Sequence, residues 1–241
     1  MDDAHTLPLV SVVIPTYNRY PLLLHAIDSV RQQTHTHLEI IVVDDCSTDP
    51  RYLTLAAHYR DDPRVLILRL DINQREKYRT TAAQGMTRNH GLERARGEYI
   101  ALLDDDDRWI PRKIEMQLAA LRLHPEFKII GTTVFICHNS DDGTRHECIR
   151  DQTHDPEETP VRTLAQNMNR LDLFDFARAN RLGNSTVLFH SSLYVEVGPQ
   201  ALSNPEDYEY WTRIMRHTDA LVLLVPTVHY DMQSSKFYEY R

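Results

Sequence analysis

Apolar residues along the chain fall into two recurring patterns: short unbroken runs, and sets spaced three or four residues apart. The run at 9–14, rich in Val and stopped by Pro15, predicts a buried strand, because a strand covered on both faces has no polar side to alternate with. Leu22, Leu23, Ala26, Ile27 and Val30 then recur at the spacing of one helix face, and a second β-branched run at 38–43 completes a strand-helix-strand unit ending at Asp44. Residues 65–70 predict a third strand, 87–95 a helix, and 99–103 a fourth strand that runs directly into four aspartates. Alternation of this kind favours a parallel sheet flanked by helices. Beyond Pro111, the spacing of Ile114, Met116, Leu118 and Leu121 predicts another helix, and 127–137 a long apolar strand. The polar stretch 139–160 reads as a surface connection.

Open parallel sheets bind ligands beyond the carboxyl ends of their strands, and here three predicted strands end in polar clusters, at 16–19, 44–49 and 104–108. Asp104, Asp105, Asp106 and Asp107 place like charges within a few ångströms, which is costly in a partly desolvated cleft unless a cation or a proton relieves it. If the strand persists, Asp104 and Asp106 share one face and Asp105 and Asp107 the other. Hard oxygen ligands suit Mg²⁺ or Mn²⁺, which commonly complete their shells with phosphates and water. The bland alternative is an acidic turn capping the helix after Pro111. Asp44 and Asp45 offer a second pair, able to accept hydrogen bonds from a nucleobase or ribose, or else to cap the segment before Arg51.

Composition narrows the classes. The 241 residues, 41% hydrophobic and 26% charged, suffice for one core, and a single domain over 1–241 is expected, in two halves at about 1–110 and 111–241. A net charge of −8 with no Lys/Arg cluster argues against nucleic acid as the main ligand. No apolar run approaches the ~20 residues of a membrane span, and Asp2, Asp3 and His5 are not a basic leader, so a soluble cytoplasmic protein with at most peripheral membrane contact is expected. Cys46, Cys137 and Cys148 are widely spaced and are expected to be reduced thiols. With seven glycines and none between Pro15 and Arg19, neither a nicotinamide-binding loop nor a pyrophosphorylase phosphate loop is present.

Taken in order, several motifs resemble the inverting glycosyltransferase family 2: Pro15-Thr16-Tyr17-Asn18-Arg19, Val42-Val43-Asp44-Asp45-Cys46-Ser47, Arg88-Asn89-His90-Gly91, Leu103-Asp104-Asp105-Asp106-Asp107, and Glu206-Asp207-Tyr208-Glu209-Tyr210-Trp211. The resemblance covers residues 9–216 and implies an α/β GT-A fold: a mostly parallel, Rossmann-like sheet with a small C-terminal acceptor-side portion. It further implies a sugar transferred from a nucleotide diphosphate donor, UDP by the motifs, to a hydroxyl of a glycan or glycoconjugate, with Mn²⁺ or Mg²⁺ as cofactor. By that resemblance Pro15, Thr16, Tyr17, Asn18 and Arg19 line the nucleoside pocket, with Asp44 or Asp45 near the base and Arg88 near the diphosphate. Asp104 and Asp106 form the Asp-x-Asp pair, one near the ribose and one on the metal, with Asp105 and Asp107 beside them. Asp207 is implied as the base, with Glu206 and Trp211 on the substrate side.

A sugar hydroxyl is a poor nucleophile, so a carboxylate within hydrogen-bond reach can remove its proton as the oxygen attacks, whereas a metal-stabilised diphosphate needs no proton donor to leave. Asp207 also satisfies the pattern of a first-turn helix acid after Pro205, and Trp211 that of a core residue. Two departures from the family pattern stand out. The link 71–84 is long, which loosens the placement of Arg88, and the C-terminal His-Tyr-Asp leaves His229 as either a third metal ligand or a core-edge histidine. Acceptor selection is expected within 139–184. The alternative reading is a non-catalytic nucleotide-sugar or carbohydrate-binding domain of the same fold, which retention of Asp207 disfavours.

Overall fold

The computed structural model describes residues 7–80, 83–139, 146–149, 168–178, 181–203 and 205–232. The first unit follows the hydrophobic pattern: β1 (Val10–Thr16), α1 (Tyr20–Arg31) and β2 (Leu38–Asp44). A 3₁₀ turn and α2 (Leu55–His58) lead to β3 (Val65–Arg69). The long link before the Arg-Asn motif is explained by α3 (Gln74–Tyr78), capped by the Asn73 side chain, which precedes α4 (Gln84–Leu92) and β4 (Tyr99–Leu102). The second half contains β5 (Arg108–Trp109), α5 (Lys113–Leu123), β6 (Ile129–Asn139), β7 (His146–Ile149), β8 (Met168–Leu171) and α6 (Leu173–Arg178). It ends with β9 (Leu188–His190), α7 (Ser191–Val197), α8 (Glu206–Ile214) and β10 (Ala220–Asp231).

Among the described residues the strands form one sheet in the order β3-β2-β1-β4-β9-β6-β10-β5, with β7 added beside β6 and β8 beside β10. The expected parallel arrangement describes β3-β2-β1-β4. Past β4 the sheet is mixed: β9 runs antiparallel to both β4 and β6, and β10 is parallel to β6 but antiparallel to β5 and β8. Side-chain alternation along β1 divides the core. Val10, Val12 and Ile14 pack with Leu23, Ile27 and Val30 of α1, whereas Val13 joins Leu92, Phe189 and Trp211 on the other face. Gly91 brings α4 close to the sheet, since a Cβ there would meet Val13 Cγ1 at 2.5 Å.

Two expectations are corrected. The stretch 139–160 is not purely a connection: residues 146–149 pair antiparallel with β6, and 140–145 and 150–160 lie outside the described residues. Cys137 is not a reduced thiol but is disulfide-bonded, and Cys148 stands opposite it in register, a long-range proximity that sequence spacing does not reveal. Among the described residues no helix is long and apolar enough to cross a membrane.

Candidate active site at the edge of the sheet

The four aspartates do not continue β4. The strand ends at Leu102 and the chain turns, with the Asp107 amide donating to the Asp104 carbonyl at 3.1 Å, so the two-faced alternation expected of a strand is lost. The turn is tied down from a distant segment: the Asp104 amide donates to Ser185 Oγ at 3.0 Å, and the Asp231 amide at the end of β10 donates to Asp107 Oδ1 at 2.9 Å. Asp105, Asp106 and Asp107 are buried as a result. Burial pushes all three carboxyls up, Asp106 to about 7, and neighbouring aspartates add to the effect while Arg19 opposes it at Asp105 and Asp106. Arg19 Nη1 lies 3.2 Å from Asp105 Oδ1 and 2.7 Å from Asp106 Oδ2.

Asp105 Oδ2 and Asp107 Oδ2 are buried without a hydrogen-bond partner. Orphaned anionic oxygens of this kind fit a hard divalent cation. A complete ligand set is not assembled, however: among the described residues no three His, Cys, Asp or Glu side chains converge as metal ligands. The expected set Asp104, Asp106, Asp107 and His229 is thus not preformed. His229 packs edge-on against Phe135, with ring centroids 5.3 Å apart, in register with Arg108. Asp231, two residues on, is the β10 residue that reaches the acidic turn, and sequence reading overlooked both it and Ser185. Behind the turn, Trp109 Nε1 donates to the Ser185 carbonyl at 2.8 Å, and the buried Lys113 Nζ, its pKa pushed well down by burial, lies 4.0 Å over the Trp109 ring.

The loops after β1 and β2 form the adjoining wall. Pro15 and Thr16 close β1, and Thr16 Oγ1 lies 2.7 Å from the Tyr52 hydroxyl. Tyr17 is half-buried, and Asn18, with φ of 53°, accepts the Thr48 and Asp49 amides at 2.9 and 3.0 Å, locking the two loops together. Asp44 is consumed by the frame: it accepts the Ser47 amide at 2.9 Å and pairs with Arg69 at 2.8 Å. Asp45 accepts the Gln74 amide at 2.8 Å and Asn73 Nδ2 at 3.1 Å, and burial raises its carboxyl to about 6.

Arg88 is fully buried on α4 and bridges two motifs far apart in sequence, its guanidinium reaching Asp104 at 2.5 Å and Glu206, 118 residues on from Arg88, at 3.1 Å. Burial alone would lower its pKa, but the two carboxylates outweigh that and hold it charged. Glu206 opens α8, and the next residue, Asp207, is partly exposed, its Oδ1 accepting the Tyr208 amide at 2.7 Å. Asp207, Ser185, Arg181, Leu171 and Tyr230 line a cavity of about 640 Å³. Trp211 is a correction: it has no exposed surface and packs against Phe189 and Tyr210 in the core, because its position in α8 faces the sheet, so it does not meet a ligand. The arrangement thus joins an acidic, cation-seeking turn to a cavity carrying an accessible carboxylate.

Comparison with known proteins bears on the family and the fold. A sequence model described as Glycosyl transferase family 2 matches residues 11–189. A Bacillus subtilis protein named "Putative teichuronic acid biosynthesis glycosyltransferase TuaG" is 40% identical over 111 residues, covering 46% of this chain and 41% of its own length. An uncharacterised glycosyltransferase of Rickettsia typhi is 29% identical over 232 residues, covering 92% of this chain and 64% of its own. The chain therefore spans less than two thirds of the length of these relatives. The crystal structure of Staphylococcus aureus TarS 1–349 in complex with UDP-GlcNAc superposes with a TM-score of 0.69 at 19% identity, covering 93% of this chain and 58% of that one, so the fold is of the GT-A type.

Proposed function

The chain belongs to glycosyl transferase family 2, and from that premise we propose that it transfers a sugar from a nucleotide diphosphate donor to a hydroxyl of a glycan or glycoconjugate. The observation that carries this reading is the convergence, through Arg88, of the acidic turn after β4 with Glu206 and its neighbour Asp207 at the wall of an open cavity. A uridine diphosphate donor is proposed from the motifs, consistent with the UDP-GlcNAc complex of TarS, and polysaccharide assembly as the setting is consistent with the naming of TuaG.

In this reading the loops at Thr16–Arg19 and Asp45 face the nucleoside, while Arg88 and Asp104 flank the diphosphate. Asp105, Asp106 and Asp107 would hold Mn²⁺ or Mg²⁺, which when bound neutralises the diphosphate as it leaves. Asp207 accepts the proton of the acceptor hydroxyl as that oxygen forms its bond to the anomeric carbon and the bond to the nucleotide diphosphate breaks. A single displacement of this kind inverts the donor anomer.

Two variants test the assignment. Asp207→Asn is expected to keep nucleotide affinity within about twofold yet lower the transfer rate at least ~10²-fold, because the base acts only in the chemical step; residual transfer near the wild-type rate would make Asp207 a helix-start residue only. Asp106→Ala is expected to abolish the Mn²⁺ dependence of UDP binding in titration calorimetry, and an unchanged dependence would remove the acidic turn from the metal's ligands.

A further inference from the structure

The cavity beside Asp207 adjoins the acidic turn through Ser185, which lines it and whose hydroxyl accepts the Asp104 amide at 3.0 Å. Most of the surface is apolar side chain and strand backbone from β6, β8 and β10, including Leu171 and Tyr230. Three charged residues line it: Asp207, Arg170 and Arg181. The Arg170 charge is already matched, since its Nε donates to Asp219 at 2.7 Å. Arg181 differs, because no hydrogen bond or ion pair engages it among the described residues.

An unengaged guanidinium beside an apolar wall presents a planar fork of donors whose geometry matches a carboxylate or phosphate better than any neutral group. The rest of the molecule works against an anion here. The chain has 35 acidic against 27 basic residues, and Asp207 adds a negative charge within the cavity itself. An anionic ligand is therefore retained only by a local cation, and Arg181, exposed at the cavity lining, is the cation there whose charge is not already matched.

We propose that this cavity is the acceptor site, that it takes a glycan bearing an anionic group, either a uronate carboxylate or a phosphate ester, and that Arg181 is the residue that selects it. The proposal rests on the glycosyltransferase reading of Asp207. The anionic group would sit on Arg181 while a hydroxyl elsewhere on the same acceptor meets Asp207, so charge fixes orientation and the base acts on a neutral oxygen.

The test uses the full chain and ligand-observed NMR titrations with three probes: a glucuronate-containing tetrasaccharide, a phosphate-substituted oligosaccharide, and chitotetraose as the neutral comparison. At least one anionic probe is expected to bind roughly tenfold or more tighter than chitotetraose, with Arg181→Gln removing the preference and Arg181→Lys restoring part of it. Which anionic probe wins names the group as carboxylate or phosphate. Equal binding of all three, no anionic binding at millimolar concentration, or a preference that survives in Arg181→Gln overturns the proposal. A parallel thermal shift of the wild-type chain with UDP and Mn²⁺ reports on the donor reading separately: a shift there alongside failed anion selection leaves the transferase reading standing and removes only the role of Arg181.

Discussion

Asp45 is buried at the end of β2 and held by donors that belong to the start of α3, Asn73 Nδ2 and the Gln74 amide. Burial nevertheless dominates and raises its carboxyl to about 6. An unfolded aspartate titrates near ~3.9, so between about pH 4 and 6 the folded chain binds more protons than the unfolded one, and stability must fall as pH rises through that window. Asp45→Asn removes the titration. The stability advantage of the wild type over this variant is therefore expected to be largest near pH 4 and to shrink by about 1–2 kcal/mol by pH 8, the figure being reduced for solvent screening at a partly buried group. Urea unfolding at the two pH values measures it, and an advantage that does not change with pH would return Asp45 to ordinary carboxylate behaviour. Asp44, one residue earlier, shows why the pair was ambiguous in sequence: its partners Ser47 and Arg69 lie on separate segments, and only folding shows that both its oxygens are engaged.

The packing of α4 onto β1 is the contact that fixes where Arg88 emerges. Gly91→Ala would place a Cβ 2.5 Å from Val13 Cγ1 and 3.1 Å from Val43 Cγ2, distances at which the helix must move off the sheet. The expected cost is about 1–3 kcal/mol, and Val13→Ala in the same chain should recover part of it, because it removes the nearest methyl groups while Val43 still crowds the site. Equilibrium urea titrations of the two single variants and the double variant decide this, and strictly additive losses would show that α4 relaxes by another route. The parallel half to which this contact belongs was legible from the chain: its strands leave apolar runs broken by at most one polar residue, as at Ser11, Glu39 and Arg69, and the predicted runs at 9–14, 38–43, 65–70 and 99–103 all lie on observed strands. In the mixed half the predicted helix after Pro111 and strand at 127–137 correspond to α5 and β6, but the remaining strands were not legible. β5 has two residues and β9 three, too short for any periodicity, and β10 owes its form to partners about 50 to 120 residues away. The acidic turn failed for the same reason, since Ser185 and Asp231 bend it away from strand geometry and neither is near it in sequence.

At the scale of the molecule, the site lies where the parallel half gives way to the mixed half, and Arg88 is a charged tie across that seam, beside the hydrogen bonds of Ser185 and Asp231 to the acidic turn. Its guanidinium contacts Asp104 from the first half and Glu206 from the second, with no exposed surface of its own. A buried arginine between two carboxylates is costly to desolvate, so its value lies in fixing geometry, and removing one partner leaves an uncompensated charge. The apolar contacts of α8, chiefly Trp211 and Tyr210 against Phe189, compete as the explanation for where Asp207 stands. A double-mutant cycle separates the two. Arg88→Met and Glu206→Gln are each expected to destabilise the chain, and the double variant to lose about 1–3 kcal/mol less than the sum, because the second change no longer breaks an intact pair. Coupling of that size in urea unfolding would make the ion pair the element that sets α8, and with it Asp207, against the acidic turn. Additivity within about 0.5 kcal/mol would instead assign that task to the aromatic packing of α8 against Phe189.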